Sequence, residues 1–256
     1  MWSLIEPSAS AAPGASAMSV RLPDGHRVYA VGDIHGCDHL LERLMGLIAE
    51  DLAASPAEHV TELFVGDYVD RGRDSYAVIE FLRGPATPGR ERVCLLGNHE
   101  VAMLDALRDG SLMARWLVFG AEATLRAYGI EARQYAHNPV ALQPMLQAVL
   151  PEEHRAFLEQ RPVTHRIGDV LFVHAGIRPG VPLEAQERHD LIWIREEFLN
   201  YTGPLPVHVV HGHTPVDAPD HRPWRTNIDT GAVYGGALTA AVLENGSVRF
   251  LSVPAD

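Results

Sequence analysis

Five short segments of the chain carry residues able to bind a metal ion. They are Gly32-Asp33-Ile34-His35-Gly36, Gly66-Asp67-Tyr68-Val69-Asp70-Arg71-Gly72, Gly97-Asn98-His99-Glu100, His174-Ala175-Gly176 and His211-Gly212-His213-Thr214-Pro215. Asp33, His35, Asp67, Asn98, His174 and His213 offer carboxylate, amide and imidazole donors and no thiolate. That mixture suits manganese, iron or zinc in a catalytic site and disfavours a structural zinc. Two divalent ions held against two carboxylates leave a positive pocket, which attracts a phosphate dianion and acidifies a water between the ions. A lone Asp-x-His is most often a turn with a satisfied histidine. Six such residues, each at the end of an apolar run, make a site.

The runs that must position them are Val28-Tyr29-Ala30-Val31, Leu63-Phe64-Val65, Val93-Cys94-Leu95-Leu96, Val170-Leu171-Phe172-Val173 and Val209-Val210. Their length and β-branched content predict buried strands, and the C-terminal ends of strands are where open α/β sheets assemble sites. Helical spacing places helices over 38–54, 75–82 and 100–107. The alternation of strand and helix in the first hundred residues predicts an α/β layered domain. Residues 101–162 read as a helical insertion, including one stretch over 112–128, whose role as cap or cover the pattern leaves open. The last third is strand-rich, over 225–228, 237–243 and 247–253, with Asn245-Gly246 as a hairpin turn.

With 46% hydrophobic and 21% charged residues in 256, the composition is globular, and the expectation is one domain over 21–256 behind a disordered leader over 1–20. Two cysteines give no disulfide framework, so a cytoplasmic address is expected. No apolar run reaches the roughly 20 residues of a membrane span. A net charge of −12 argues against nucleic acid as a partner. The oligomeric state stays open. Most of the ten other histidines are expected at the surface, with His211 as a donor behind His213. Cys37 is expected to be buried and inert, Tyr234 to line the pocket or pack in the core, and Asp229 is left without a role.

The segments GDIHG (32–36), GDYVDRG (66–72), GNHE (97–100), His174 and GHTP (212–215), in that order, resemble the phosphoprotein phosphatase branch of the calcineurin-like metallophosphoesterases. The resemblance covers about 26–251 and includes Leu191-Ile192-Trp193-Ile194-Arg195-Glu196-Glu197-Phe198 and Asp229-Thr230-Gly231-Ala232, which are similar to motifs of bacterial and phage members. It implies an α/β layered fold with central β-sheets flanked by helices, and two divalent metal ions, manganese first with iron or zinc as alternatives. It further implies that Asp33, His35 and Asp67 hold one ion, and that Asp67 bridges to a second completed by Asn98, His174 and His213. Arg71 and Arg195 would clamp the phosphate, and His99, oriented by Asp70, would protonate the leaving alkoxide. The implied reaction is direct attack on phosphorus by a hydroxide generated between the ions.

The implied substrates are phosphoserine and phosphothreonine in proteins, with phosphotyrosine also open. A dinucleoside polyphosphate hydrolase and a small-molecule phosphomonoesterase are the alternatives. Relatives that cleave symmetrical dinucleoside tetraphosphates carry alanine at the position of Asp70 and GNHD for GNHE, so Asp70 and Glu100 favour the phosphatase. Pro215, standing where a GHxH ending places its second histidine, disfavours a nuclease or phosphodiesterase. The complete set of ligands and acid disfavours an inactive scaffold.

Overall fold

The computed structural model describes residues 20–255. The leader expected over 1–20 therefore lies, apart from Val20, outside the described residues. The chain alternates through β1 (His26–Val31), α1 (Asp38–Ala54), β2 (His59–Phe64), α2 (Ser75–Arg83) and β3 (Arg90–Cys94). α3 (Asn98–Arg108) leads into the helical insertion, α4 (Met113–Val118), α5 (Ala121–Ala127), α6 (Leu142–Val149) and α7 (Glu152–Glu159). Then come β4 (Thr164–Ile167), β5 (Val170–Val173), α8 (Arg188–Trp193), α9 (Glu196–Leu199) and β6 (His208–His211). The last elements are β7 (Asp220–His221), β8 (Arg225–Asn227), β9 (Ala237–Glu244) and β10 (Ser247–Pro254).

The strands form two five-stranded mixed sheets, ordered β10-β9-β1-β2-β3 and β4-β5-β6-β8-β7. β1, β2 and β3 run parallel, as do β5, β6 and β8. β9 returns antiparallel to β1, so the end of the chain closes the first sheet around its beginning. Alternate side chains of a strand face opposite ways, and β1 shows what each face buries. Val28 and Ala30 join Leu63, Val65, Phe172, Val210 and Ile228 between the sheets. Tyr29 and Val31 pack instead with Leu40, Leu44 and Ile48 of α1. On the outer face of the second sheet, Leu171, Val173 and Val209 meet Ile192 and Phe198. The layers are helix, sheet, sheet, helix.

The expected helix over 112–128 is broken into α4 and α5 at Phe119-Gly120. Gly120 adopts φ +95°, and a Cβ there would sit 2.8 Å from Arg71 Cγ. The break turns the chain so that the Gly120 carbonyl accepts the Arg71 N–H at 3.1 Å. β3 stops at Cys94, short of its apolar run, and the Leu96 N–H bonds to the Pro162 carbonyl instead. β4 and β7 escape the sequence pattern because they are short and polar. No helix among the described residues is long and apolar enough to cross a membrane.

Candidate active site

The C-terminal ends of β1, β2 and β3 meet those of β5 and β6 along one seam, and backbone hydrogen bonds lock the loops to one another. Ile34 and His35 donate to the Asp67 carbonyl at 3.1 and 2.8 Å, and Gly212 donates to the His174 carbonyl at 2.8 Å. The turns are sharp. Of the six non-glycine residues with positive φ among the described residues, His35, Asp67, Asp70, Arg71 and His213 lie here, and Asn245 is in the hairpin. Left-handed backbone is costly for such residues and clusters at functional sites. Gly212 serves a close approach: a Cβ there would land on Asp33 Oδ1.

Asp67 is the centre. Its Oδ1 is 3.3 Å from His174 Nε2 and its Oδ2 is 3.5 Å from His35 Nε2 and 3.8 Å from His99 Nε2. His174 Nε2 also lies 2.8 Å from Asn98 Oδ1 and 3.2 Å from His213 Nδ1. Two donor groups result, His35–Asp67–His99 and Asp67–His174–His213, each with ligand atoms within 4.8 Å of one another. Asp33 falls outside both groups. Its carboxylate oxygens accept the His213 backbone N–H at 3.1 and 3.2 Å, which places it beside the second group.

These residues fit divalent cations. His35 Nδ1 donates to the Val69 carbonyl and His174 Nδ1 to the Val65 carbonyl, so each ring turns an Nε2 lone pair inward. Burial drives His35 down to about 3 and His213 to about 2, leaving neutral imidazoles. Burial, then the charges of Asp229 and Asp67, pushes Asp33 well above the usual carboxylate range. His213 Nε2 is buried with no hydrogen-bond partner. The buried carboxylates of Asp33, Asp67 and Asp229 stand among neutral imidazoles, and this set of oxygen and nitrogen donors suits a divalent cation.

His99 occupies the first turn of α3, and its Nδ1–H donates to Asp70 Oδ2 at 2.7 Å. Burial pulls its imidazolium down, but the charge of Asp67 and the bond to Asp70 outweigh that, and its pKa rises. Asp70 is itself held from every side. Thr124 donates to Oδ1 at 2.7 Å, Trp116 Nε1 to Oδ2 at 2.9 Å, and the Asp70 N–H reaches Thr124 Oγ1 at 2.8 Å. Glu100 props the same loop, its carboxylate accepting backbone N–H groups of Asp67, Tyr68, Val69 and Gly97 at 2.7–3.2 Å. Burial and the Asp67 charge lift it to about 7 against those bonds. The sequence pattern missed the supports Trp116 and Thr124, because nothing in the polar and apolar mixture of the insertion sets these two apart.

The two arginines lie at the rim, both exposed. Arg71 Nη1 is 2.6 Å from His35 Nε2, and Arg195 Nη1 donates to Thr214 Oγ1 at 3.2 Å. Tyr234 is neither core nor buried lining: it is 62% exposed, with the Arg71 guanidinium 5.5 Å over its ring. Cys37 is buried, and burial raises its thiol to about 11, as expected of an inert cysteine. His211 Nδ1 faces the Gly212 carbonyl at 3.1 Å, backing the loop before His213. Asp229 accepts the Gly231 N–H at 3.1 Å and lies in the field of Asp33, Arg71 and Arg195. Most of the remaining histidines are exposed or partly exposed, as expected, while His154 and His208 are buried. His154 bridges Tyr128 and Glu80, and His208 bonds to Thr226.

A family model described as calcineurin-like phosphoesterase matches residues 26–250, which include every one of these residues and nearly all of the two sheets. The chain belongs to the calcineurin-like phosphoesterases. It is 29% identical to bis(5'-nucleosyl)-tetraphosphatase PrpE [asymmetrical] of Bacillus thuringiensis over 88% of this chain and 92% of that protein. It is 31% identical to serine/threonine-protein phosphatase 1 of Salmonella typhimurium over 85% of this chain and 92% of that one. A solved putative diadenosine tetraphosphatase superposes with a TM-score of 0.64 at 26% identity, covering 92% of this chain and 96% of the other. Membership makes the chain a hydrolase of phosphoesters, with a site whose His and Asp groups can bind metal.

Proposed function

We propose that the chain hydrolyses phosphate monoesters in a metal-dependent reaction, by direct in-line attack of water on phosphorus. The observation that carries this reading is the 2.7 Å hydrogen bond from His99 Nδ1 to Asp70, which leaves His99 Nε2 facing Asp67. Asp33, His35 and Asp67 are assigned to one ion, and Asp67, Asn98, His174 and His213 to a second, with manganese, iron and zinc all compatible with the donors. Bound there, divalent ions polarise the phosphoryl oxygens and acidify water.

The chain's own residues supply the rest. Arg71 and Arg195 present planar donor forks to the non-bridging oxygens. The oxygen of water bonds to phosphorus as the ester P–O bond breaks, and the leaving oxygen takes its electron pair. His99 Nε2 gives that oxygen a proton, while Asp70 stabilises the imidazole ring through Nδ1–H. No phosphoenzyme intervenes.

Phosphoserine and phosphothreonine in proteins are the first substrate reading, supported by Asp70, Glu100 and the likeness to the Salmonella phosphatase. A bis(5'-nucleosyl) tetraphosphate is the second, supported by the likeness to PrpE over 88% of this chain. Metal-stripped protein reconstituted with manganese tests both, by phosphate release from phosphopeptides and by formation of AMP, ADP or ATP from diadenosine tetraphosphate, with Asp67→Asn as control. Metal-dependent turnover lost in the control is expected; turnover that survives chelation or survives Asp67→Asn overturns the reading.

A further inference from the structure

Asp70, which orients His99, is held by hydroxyls from two helices. Ser75 opens α2, and Thr124 lies within α5. The Asp70 N–H reaches Ser75 Oγ at 3.2 Å and Thr124 Oγ1 at 2.8 Å, and the two hydroxyls lie 3.1 Å apart. The seat of Asp70 therefore depends on how α2 and α5 sit against each other.

A buried polar cluster fixes that relation. His154 of α7 is buried, its Nδ1 lies 2.7 Å from the Tyr128 hydroxyl, and its Nε2 bonds to Glu80. Tyr128 follows the last residue of α5, one turn after Thr124, and its N–H bonds the Thr124 carbonyl at 3.2 Å. Glu80 stands one turn after Tyr76 on the same face of α2, and Tyr76 is the neighbour of Ser75 in the chain. The Tyr76 ring packs against Tyr128 at 5.4 Å and against His154 at 4.8 Å. One imidazole thus holds α2 with one nitrogen and α5 with the other.

The direction of these bonds is fixed too. Arg83 bonds Glu80 at 2.8 Å, and this bond, with that of His154, holds the Glu80 carboxyl below its ordinary value. An ionised carboxylate only accepts, so His154 Nε2 carries a proton. Burial pushes the Tyr128 phenol up, so its O–H stays intact to donate to Nδ1. Ile79 of α2, Leu125 of α5 and Phe157 of α7 belong to the apolar core that surrounds the cluster. An apolar side chain at 154 could fill that space, but it would give the helices no bonded register. A fully bonded polar chain specifies one arrangement.

We propose that His154 is a positioning residue for the proton donor. By bonding Glu80 and Tyr128 it keeps Ser75 and Thr124 on Asp70, and through Asp70 it sets the plane of the His99 ring. The proposal rests on the reading of His99 as the acid.

Three variants are compared with the unaltered manganese-loaded protein on a matched alkyl and aryl phosphate. Tyr128→Phe removes one hydroxyl, His154→Leu removes both bonds, and His154→Gln keeps an amide donor and acceptor. Tyr128→Phe and His154→Leu are expected to lower kcat on the alkyl phosphate about tenfold, part of the roughly 10²–10⁴ that a general acid supplies. KM should hold, and the aryl phosphate should be little affected. His154→Gln should recover most of the loss, and in a His99→Asn background Tyr128→Phe should cost nothing further. Tyr29→Phe, which takes a buried hydroxyl from Asp51, controls for lost stability and should not separate the substrates. Equal losses on both substrates, or a loss that persists in His99→Asn, overturn the proposal and leave His154 a packing residue. The exchangeable His99 Nδ1–H resonance of the metal-stripped protein, assigned by its loss in His99→Asn, gives a readout without turnover. It should shift or exchange faster in Tyr128→Phe. If no form turns over either phosphate, the hydrolase reading falls and this resonance decides alone: unmoved in Tyr128→Phe, it overturns the positioning role.

Discussion

Trp116 donates its indole N–H to Asp70 Oδ2 at 2.9 Å, the same oxygen that accepts the His99 Nδ1–H at 2.7 Å. Trp116 belongs to the helical insertion and Asp70 to the loop after β2, so the insertion reaches the Asp70–His99 pair directly. Thr124 of α5 binds the other carboxylate oxygen at 2.7 Å. A carboxylate with both oxygens held fixes the plane of the imidazole it orients.

Trp116→Phe keeps most of the buried ring and removes only the N–H. A hydrogen bond to a charged group is worth about 1.5–3 kcal/mol, so a stability loss near the lower end is expected, together with a kcat reduced about tenfold and KM little changed. Urea denaturation and steady-state kinetics on p-nitrophenyl phosphate check both. A large rise in KM with kcat intact would instead place Trp116 in binding alone.

His99→Asn is expected to retain metal and lose roughly 10²–10⁴ in kcat on alkyl phosphates. Aryl phosphates, whose leaving groups need less protonation, should lose much less. Kinetics on a matched alkyl and aryl pair, with metal content by atomic absorption, decide it. Equal losses on the two substrates would remove His99 from the acid role.

Glu100→Gln exchanges one carboxylate oxygen for an NH2 group that points at backbone N–H donors. Four such donors converge on Glu100, and leaving even one pair unsatisfied in a fully buried site costs about 2–3 kcal/mol. The loop carrying Asp67 should loosen, so weaker manganese retention on dialysis is expected alongside a lower urea midpoint. An unchanged midpoint would show that the carboxylate is dispensable.

Arg178 clamps both flanks of the Arg195 segment, bonding Asp190 at 2.6 and 2.8 Å and lying 3.2 Å from Glu197. Its hydrogen bonds hold the Asp190 carboxyl below its ordinary value. Because the folded value is the lower one, the contribution is full above the unfolded carboxylate pKa of about 3.9 and fades as pH falls through the folded one. Arg178→Met should therefore lower the urea midpoint at neutral pH and converge with the unaltered protein in strong acid. A difference that stays constant across that range would assign the effect to packing.

The periodic parts of the fold were legible because burial imposes its period on the sequence. β5 and the Val28–Val31 part of β1 bury on both faces and read as unbroken apolar runs. α1 shows a stripe of Leu40, Leu41, Leu44 and Ile48, and its bounds match the reading. β4 and β7 lie at the two edges of the second sheet with polar residues exposed, and so left no period. The helix over 112–128 was misread because Gly120 counts as one tolerable residue in a periodic stretch. Its reason for being there, the Arg71 side chain and N–H, is 49 positions away in the chain.

The sequence by itself determined the donors: which residue types stand at the ends of which strands, and that they comprise carboxylates, an amide, imidazoles and arginines. Donor chemistry is a property of side chains, and strand ends are set by local burial, so both survive in one dimension. The tertiary structure alone decided what surrounds them. It turned the Asp33 carboxylate onto the His213 N–H, joined Asp70 to Trp116 and Thr124, and packed Phe119 on His99 and Trp193 on His213. Those relations are made where two sheets and a helical insertion meet, between residues distant in the chain. The free energy of such contacts depends on distance in space, for which spacing in sequence carries no code.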